Sequence, residues 1–181
     1  MVNFHELFEI SLINADTMTQ ITRRIKIDKP ENSSLDALKI TGNTIDDLKK
    51  GKSKFDVVNE IDAFINEDGL TPDHRCLVGH NIINFDRKFL WHLWESCGKE
   101  FPFHMYLDTM HMMRDYTKKL QMIKPKINLA ASCEMLKVAN VDTNWHSAKG
   151  DTRNCFFLWK KLMDEVNHLM HIKTMVHSLN A

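Results

Sequence analysis

The stretch Gly79-His80-Asn81-Ile82-Ile83-Asn84-Phe85-Asp86 decides how this chain folds. An apolar run, Cys76-Leu77-Val78, enters it as a buried strand would. A segment with Phe89, Leu90, Leu93 and Trp94 at helical spacing leaves it. Asp86 therefore stands where a strand turns into a helix, with Asn84 as the candidate N-cap and Gly98 as the terminator. Taken alone, an acidic residue in a first helical turn is a capping group, favoured by the helix dipole and by N–H groups that lack an intrahelical partner.

Upstream, Phe8, Ile10 and Leu12 alternate with Glu9 and Ser11, and Ile21, Ile25 and Ile27 are separated by Arg23, Arg24 and Lys26. These patterns predict two half-buried strands joined by a turn at Ala15-Asp16-Thr17-Met18-Thr19. Residues 30–51 are polar and punctuated, which reads as loop with short helical pieces. Ser53 caps a predicted helix with Val57, Val58, Ile61, Phe64 and Ile65 on its apolar face, and Gly69 ends it.

Downstream, a strand at Met105-Tyr106-Leu107 runs into Asp108-Thr109 and a methionine-rich helix from Met110 to Leu120. Asn128 caps a helix from Leu129 to Val138. A last helix is predicted from about Thr152 to His168, with Cys155, Trp159, Leu162, Val166 and Leu169 as its apolar stripe. Strands alternating with helices predict an α/β layer architecture, a mixed sheet flanked by helices.

The chain has 181 residues, enough for one domain with a full core, and a single domain over 1–181 is expected. No run approaches the roughly 20 apolar residues needed to span a bilayer, and no signal peptide is apparent, so no membrane partner is expected. The four cysteines contain no C-x-x-C pair, which suits reduced thiols and a cytoplasmic location. The ten histidines show no zinc-ligand spacing with those cysteines. Formal net charge is zero, which excludes a protein that coats nucleic acid through a basic surface. It does not exclude one that grips a few nucleotides through bound cations, because the cation supplies the local positive charge.

A second group of residues occurs in Trp145-His146-Ser147-Ala148-Lys149-Gly150-Asp151-Thr152, a loop entering a helix. Each of these residues has an ordinary structural reading by itself. Together with the first stretch they resemble the DnaQ-like DEDDh 3′-to-5′ exonucleases, which have an RNase H-like fold. Gly79-His80-Asn81 followed by Phe85-Asp86 resembles the second motif of that family, with three residues between Asn81 and Phe85 where two are usual. His146 and Asp151 resemble the third motif. Leu107-Asp108-Thr109, Asn128-Leu129 with Leu136, and the segment from Ala37 to Leu48 resemble intervening family segments in the same order, so the resemblance covers almost the whole chain.

The resemblance implies two-metal hydrolysis of phosphodiester bonds. In that chemistry two divalent cations, roughly 4 Å apart, act on the attacking water and the leaving oxygen. Asp86 and Asp151 would be ligands for Mg²⁺ or Mn²⁺, which prefer oxygen donors. His146 would be the general base, in a loop mobile enough to approach when substrate binds. His80 and Asn81 would contribute to substrate binding. The implied partners are single-stranded DNA or RNA 3′ ends and a polymerase or replication protein. The C-terminal helix offers a face for a second copy, although a frayed terminus is the simpler reading.

The family's first motif, an Asp-x-Glu on a central first strand, has no counterpart here. Glu9 aligns with a structural glutamate of the second strand, and Glu6 is the other acidic residue nearby. The sheet is therefore expected to lack its first central strand, leaving unpaired backbone groups on both sides of the gap. Three accounts follow: a chain N-terminally incomplete relative to the family, a re-paired sheet in a degenerate protein, or a strand supplied by a partner. The first is preferred, since keeping Asp86, His146 and Asp151 together has little structural motive. The alternative function is a catalytically inactive module that binds nucleic acid or a polymerase-type partner.

Overall fold

The computed structural model describes the backbone of residues 6–139 and 141–179, and the side chains within those ranges except 32, 37 and 166–179. The alternating segment Glu9–Ile13 (β1) pairs antiparallel with Gln20–Arg24 (β2), in a register that sets Ser11 opposite Thr22. Their connection is fixed locally: Asn14 Oδ1 accepts the N–H groups of Asp16 and Thr17, and Met18 takes a positive φ of 62°. Short helices Leu35–Thr41 (α1) and Ile45–Leu48 (α2) follow, the second closed by a Thr44/Asp47 capping box. Ser53 caps Lys54–Asn66 (α3), as the sequence predicts.

The apolar run Cys76–Gly79 (β3) pairs parallel with Met105–Asp108 (β4), and Asp86–Glu95 (α4) forms the crossover between them. Thr109–Lys119 (α5), Leu129–Met135 (α6) and the long Ala148–Leu179 (α7) complete the chain. Mixed character is present as one antiparallel and one parallel pair. Among the described residues these are two separate two-stranded ribbons rather than one continuous sheet.

Helices cover the ribbons on two sides. Ile10, Ile21 and Leu77 pack with Val57, Val58 and Ile61 of α3 and with Leu90, Leu93 and Trp94 of α4. On the other side α7 contacts both β1 and β3, and its Leu158 and Leu162 join Met113 of α5 and Cys133 of α6 in a second cluster. Burying a side chain such as Leu158 contributes about 1.5–3 kcal/mol relative to exposure.

Three expectations change. Asn84 is not the cap of α4. The extra residue in its loop is absorbed by a turn over 81–85, Asn84 Nδ2 donates to Asn81 Oδ1, and Phe85 occupies the cap position with no side-chain cap bond. Helix α6 stops at Met135 rather than Val138, because Lys137 takes a positive φ of 50°. Helix α7 starts at Ala148, four residues before the predicted Thr152, and continues past His168 to Leu179. Two of its N-terminal N–H groups find side-chain acceptors: Ala148 N–H donates to Glu9 Oε2 at 2.8 Å and Gly150 N–H to Ser147 Oγ at 3.1 Å. Cys155, Leu158 and Leu162 are buried as the stripe requires, while the side chains of Val166 and Leu169 lie outside the described residues.

Candidate active site

Gly79 ends β3 because nothing larger fits. A Cβ there would lie 2.6 Å from the Ile82 Cβ and 2.7 Å from its Cδ1. The chain then folds back on itself: Asn81 has φ 65°, Phe85 N–H donates to Asn81 O at 3.0 Å, and Arg87 N–H donates to Ile82 O at 3.0 Å. This tight turn delivers Asp86 as the first residue of α4.

The turn is held from the neighbouring strand end. Asp108 is only 4% exposed, and its carboxylate accepts N–H groups from Asn81 (2.9 Å), Ile83 (3.2 Å) and Met110 (2.9 Å). One side chain thus caps α5 and shapes the loop before α4. The sequence shows Asp108 as a strand-end residue ahead of a helix, but not its two bonds across to residues 81 and 83. His80 is fixed as well: its Nε2 donates to Ile127 O at 2.8 Å, and its Nδ1 lies 3.0 Å from Thr109 Oγ1. Both ring nitrogens are engaged within the protein, and burial lowers the His80 pKa.

Asp86 and Asp151 line one cavity of about 660 Å³. Burial pushes the Asp86 carboxyl up to about 6, its own backbone N–H pulls the other way, and the charges of Asp108 and Asp151 add to the rise. Burial also raises Asp151, opposed by His146, which donates its N–H at 3.3 Å to Asp151 Oδ1 and lies close enough to lower its pKa. Two half-buried carboxylates, with the Asp151 charge adding to the rise of Asp86, suit a bound cation or proton.

His146 is exposed and takes a left-handed φ of 64°, an unusual conformation for a residue with a Cβ. Its loop is anchored at both ends. Upstream, the fully buried Asn154 accepts Asp142 N–H at 2.7 Å and donates to Asp142 O at 3.0 Å. Downstream, Gly150 packs against Asn144 O and Ser147 Oγ so closely that a Cβ would collide with both. Sequence reasoning did not identify Asn154, because a polar residue inside a helical stripe carries no signal of the loop it holds.

Glu9 also lines the cavity, but its carboxylate is committed to the Ala148 N–H and lies 3.6 Å from Arg24 Nε. Among the described residues no three His, Cys, Asp or Glu side chains converge as a metal-holding group. Asp86 and Asp151 have the oxygen chemistry that Mg²⁺ or Mn²⁺ prefers and supply two of the donors such a cation needs.

An exonuclease family model of the RNase T type matches residues 3–158. The chain belongs to this exonuclease family. Similar solved structures share its RNase H-like fold. The nuclease domain of 3′hExo, a DEDDh family member bound to rAMP, matches with TM-score 0.66 and 15% identity, over 90% of this chain and 84% of that one. A 3′-exonuclease described in 3′-end-specific recognition of a histone mRNA stem-loop matches with TM-score 0.66 and 15% identity, over 91% and 75%. Exonuclease I from Methylocaldum szegediense matches with TM-score 0.57 and 19% identity, over 81% and 33%. No curated protein sequence matches. At these identities the likeness is one of fold. Among the described residues of this exonuclease domain, no helix is long and apolar enough to cross a membrane.

Proposed function

We propose that this exonuclease-family chain hydrolyses phosphodiester bonds at the 3′ ends of single-stranded DNA or RNA, with the cavity between Asp86 and Asp151 as its centre. The observation that carries this reading is the pairing of those two half-buried carboxylates, raised by burial, with His146 on the loop beside Asp151. Packing alone gives no reason to bury two carboxylates together.

Asp86 and Asp151 would hold a divalent cation, which when bound neutralises charge developing on the phosphate. His146 is the residue placed to take a proton from the attacking water. It is exposed, its ring is free to turn toward a substrate, and its backbone is tied to the carboxylate it serves. Phe85 is 57% exposed, lines the same cavity and stands ring-to-ring with Phe89 at 5.1 Å, which offers a face for a terminal base. His80 and Asn81 act on substrate through the turn they build, since His80 has no free ring nitrogen.

The test uses two single-stranded oligonucleotides, one with a free 3′ end and one with that end blocked, incubated with the protein and Mn²⁺ or Mg²⁺. Cation-dependent, stepwise shortening of the first alone supports the reading. Equal shortening of both, or shortening unaffected by chelator, contradicts it.

A further inference from the structure

The 24 cationic and 24 acidic residues of the chain are unevenly spread. Residues 114–126 hold five cations, Arg114, Lys118, Lys119, Lys124 and Lys126, against one acid, Asp115, which leaves 19 cations and 23 acids elsewhere. All five are exposed. Elsewhere cations meet carboxylates: Arg23 and Lys52 share Glu60, Arg75 holds Asp68 and Lys99 holds Asp62. Among the described residues, none of the five in this segment forms an ion pair. The helix dipole accounts for Lys118 and Lys119, which stand in the last turn of α5, but not for Lys124 and Lys126, which lie beyond it.

The segment folds into a defined turn. Leu120 N–H donates to Tyr116 O at 3.2 Å and Met122 N–H to Thr117 O at 3.0 Å, closing α5, and Gln121 and Lys124 take positive φ of 54° and 46°. Ile123 stands at the tip, 92% exposed, with Leu120 and Met122 about half exposed beside it. A cleft of about 460 Å³ opens between Arg114 and Lys118 of α5 and Pro125 and Ile127 of the returning chain. That chain runs directly into the active site: Ile127 O accepts His80 Nε2 at 2.8 Å, and Leu129 lines the cavity that holds Asp86 and Asp151. Lys124 is five residues from Leu129, a span of at most about 18 Å.

We propose that this basic turn grips the phosphate backbone of the substrate strand several nucleotides before its 3′ end. This rests on the reading that the cavity takes that end. At about 3.4 Å per stacked nucleotide, a strand of about six nucleotides seated there is long enough to reach Lys124. A dinucleotide has a single phosphodiester, which the centre at Asp86 and Asp151 occupies, so it has none left for the lysines. The substrate class that follows is a polynucleotide end rather than a dinucleotide. Lysine heads are flexible point charges that meet phosphates and carry no base readout, so the grip is independent of sequence. Leu120, Met122 and Ile123 give splayed bases an apolar surface among the charges. An anionic lipid surface also attracts a basic turn. The continuity of this one with the cavity through Ile127 and Leu129 favours the substrate strand.

The experiment compares the unaltered chain with a variant carrying Lys118→Gln, Lys119→Gln, Lys124→Gln and Lys126→Gln, and with the variant in which the same four lysines become arginine. Binding of a single strand of about twelve nucleotides is followed by fluorescence anisotropy with chelator present, over a range of salt. Trimming of that strand, and of an unlabelled dinucleotide, is followed with Mn²⁺. The glutamine variant should bind the strand at least tenfold more weakly. Its plot of log affinity against log salt should be shallower by about 3, since each phosphate neutralised on a single strand contributes about 0.7. The arginine variant should bind like the unaltered chain, and dinucleotide cleavage should be equal in all three. Lysine-dependent binding without any trimming supports the grip and counts against the proposed hydrolysis. The grip is overturned if the glutamine variant keeps its affinity and salt slope, or if its dinucleotide cleavage falls as far as its strand trimming. It is also overturned if the four lysines are needed to bind phosphatidylserine-containing vesicles and not to bind the strand.

Discussion

The carboxylate of Asp108 accepts the backbone N–H of Asn81 at 2.9 Å, and through that bond one strand end governs the turn that presents Asp86. The same carboxylate accepts Ile83 and Met110, and is itself buried. Hydrogen bonds to a charged group contribute about 1.5–3 kcal/mol each, and stranded buried donors add a desolvation cost. Asp108→Ala should therefore lower unfolding stability by about 3–5 kcal/mol in urea titration. Asp108→Asn keeps one carbonyl acceptor and should lose less than half as much.

Gly79 makes a second prediction, about packing. Gly79→Ala places a methyl on Ile82 and should cost about 1–3 kcal/mol, as overpacking does. The double variant Gly79→Ala with Ile82→Ala should recover part of that loss, whereas Ile82→Ala alone should destabilise. Both are read from denaturant midpoints.

Asp86 makes stability depend on pH with a sign opposite to that of a salt-bridged carboxylate. Its folded pKa of about 6 stands above its unfolded value near 4, so the folded state holds the proton more tightly. The resulting contribution is fully present below about pH 4 and is lost as pH rises through 6. The difference, about two pH units, corresponds to about 3 kcal/mol at most. Asp151 is raised also and acts in the same direction. Without divalent cation, Asp86→Asn should be more stable than the unaltered chain at pH 7.5, and the advantage should vanish by pH 4. Comparing the two proteins removes the contribution of Asp68, which its Arg75 partner lowers and which therefore acts oppositely.

His146 allows stability and chemistry to be separated. A left-handed residue with a Cβ costs roughly 1–3 kcal/mol, and glycine relieves that cost while adding unfolded-state entropy of about 0.4–1 kcal/mol. His146→Gly should leave stability unchanged or raised by about 1 kcal/mol. Its rate of 3′-end trimming should fall about 10²- to 10⁴-fold, the range for loss of a general base. Asn154→Ala should instead lower stability by about 2–4 kcal/mol and speed exchange of the 142–147 amides, because it removes both bonds holding Asp142.

Much of the scaffold was legible in the residues. The Ser53 and Asn128 caps, the Cys76–Gly79 strand and the terminator at Gly98 each follow from short-range patterns, and short-range forces decide them. The start of α4 was misread at Asn84 because its cap depends on a turn closed by Asp108, 24 residues further on. The early start of α7 depends on Glu9, 139 residues away from Ala148. Sequence spacing carries neither relationship. That helices α3, α4 and α7 line the cavity beside β1 and β3 emerges only from three-dimensional packing.

The most direct test of the central claim compares Mn²⁺-dependent trimming of a 5′-labelled single-stranded oligonucleotide by the unaltered chain, Asp86→Asn and Asp151→Asn. Each reaction is run after circular dichroism has shown that all three proteins are folded. The account predicts stepwise loss of nucleotides from the 3′ end by the unaltered chain, and at least a hundredfold lower rate in each variant. Equal rates in all three proteins, or no cation-dependent trimming by the unaltered chain, would contradict it.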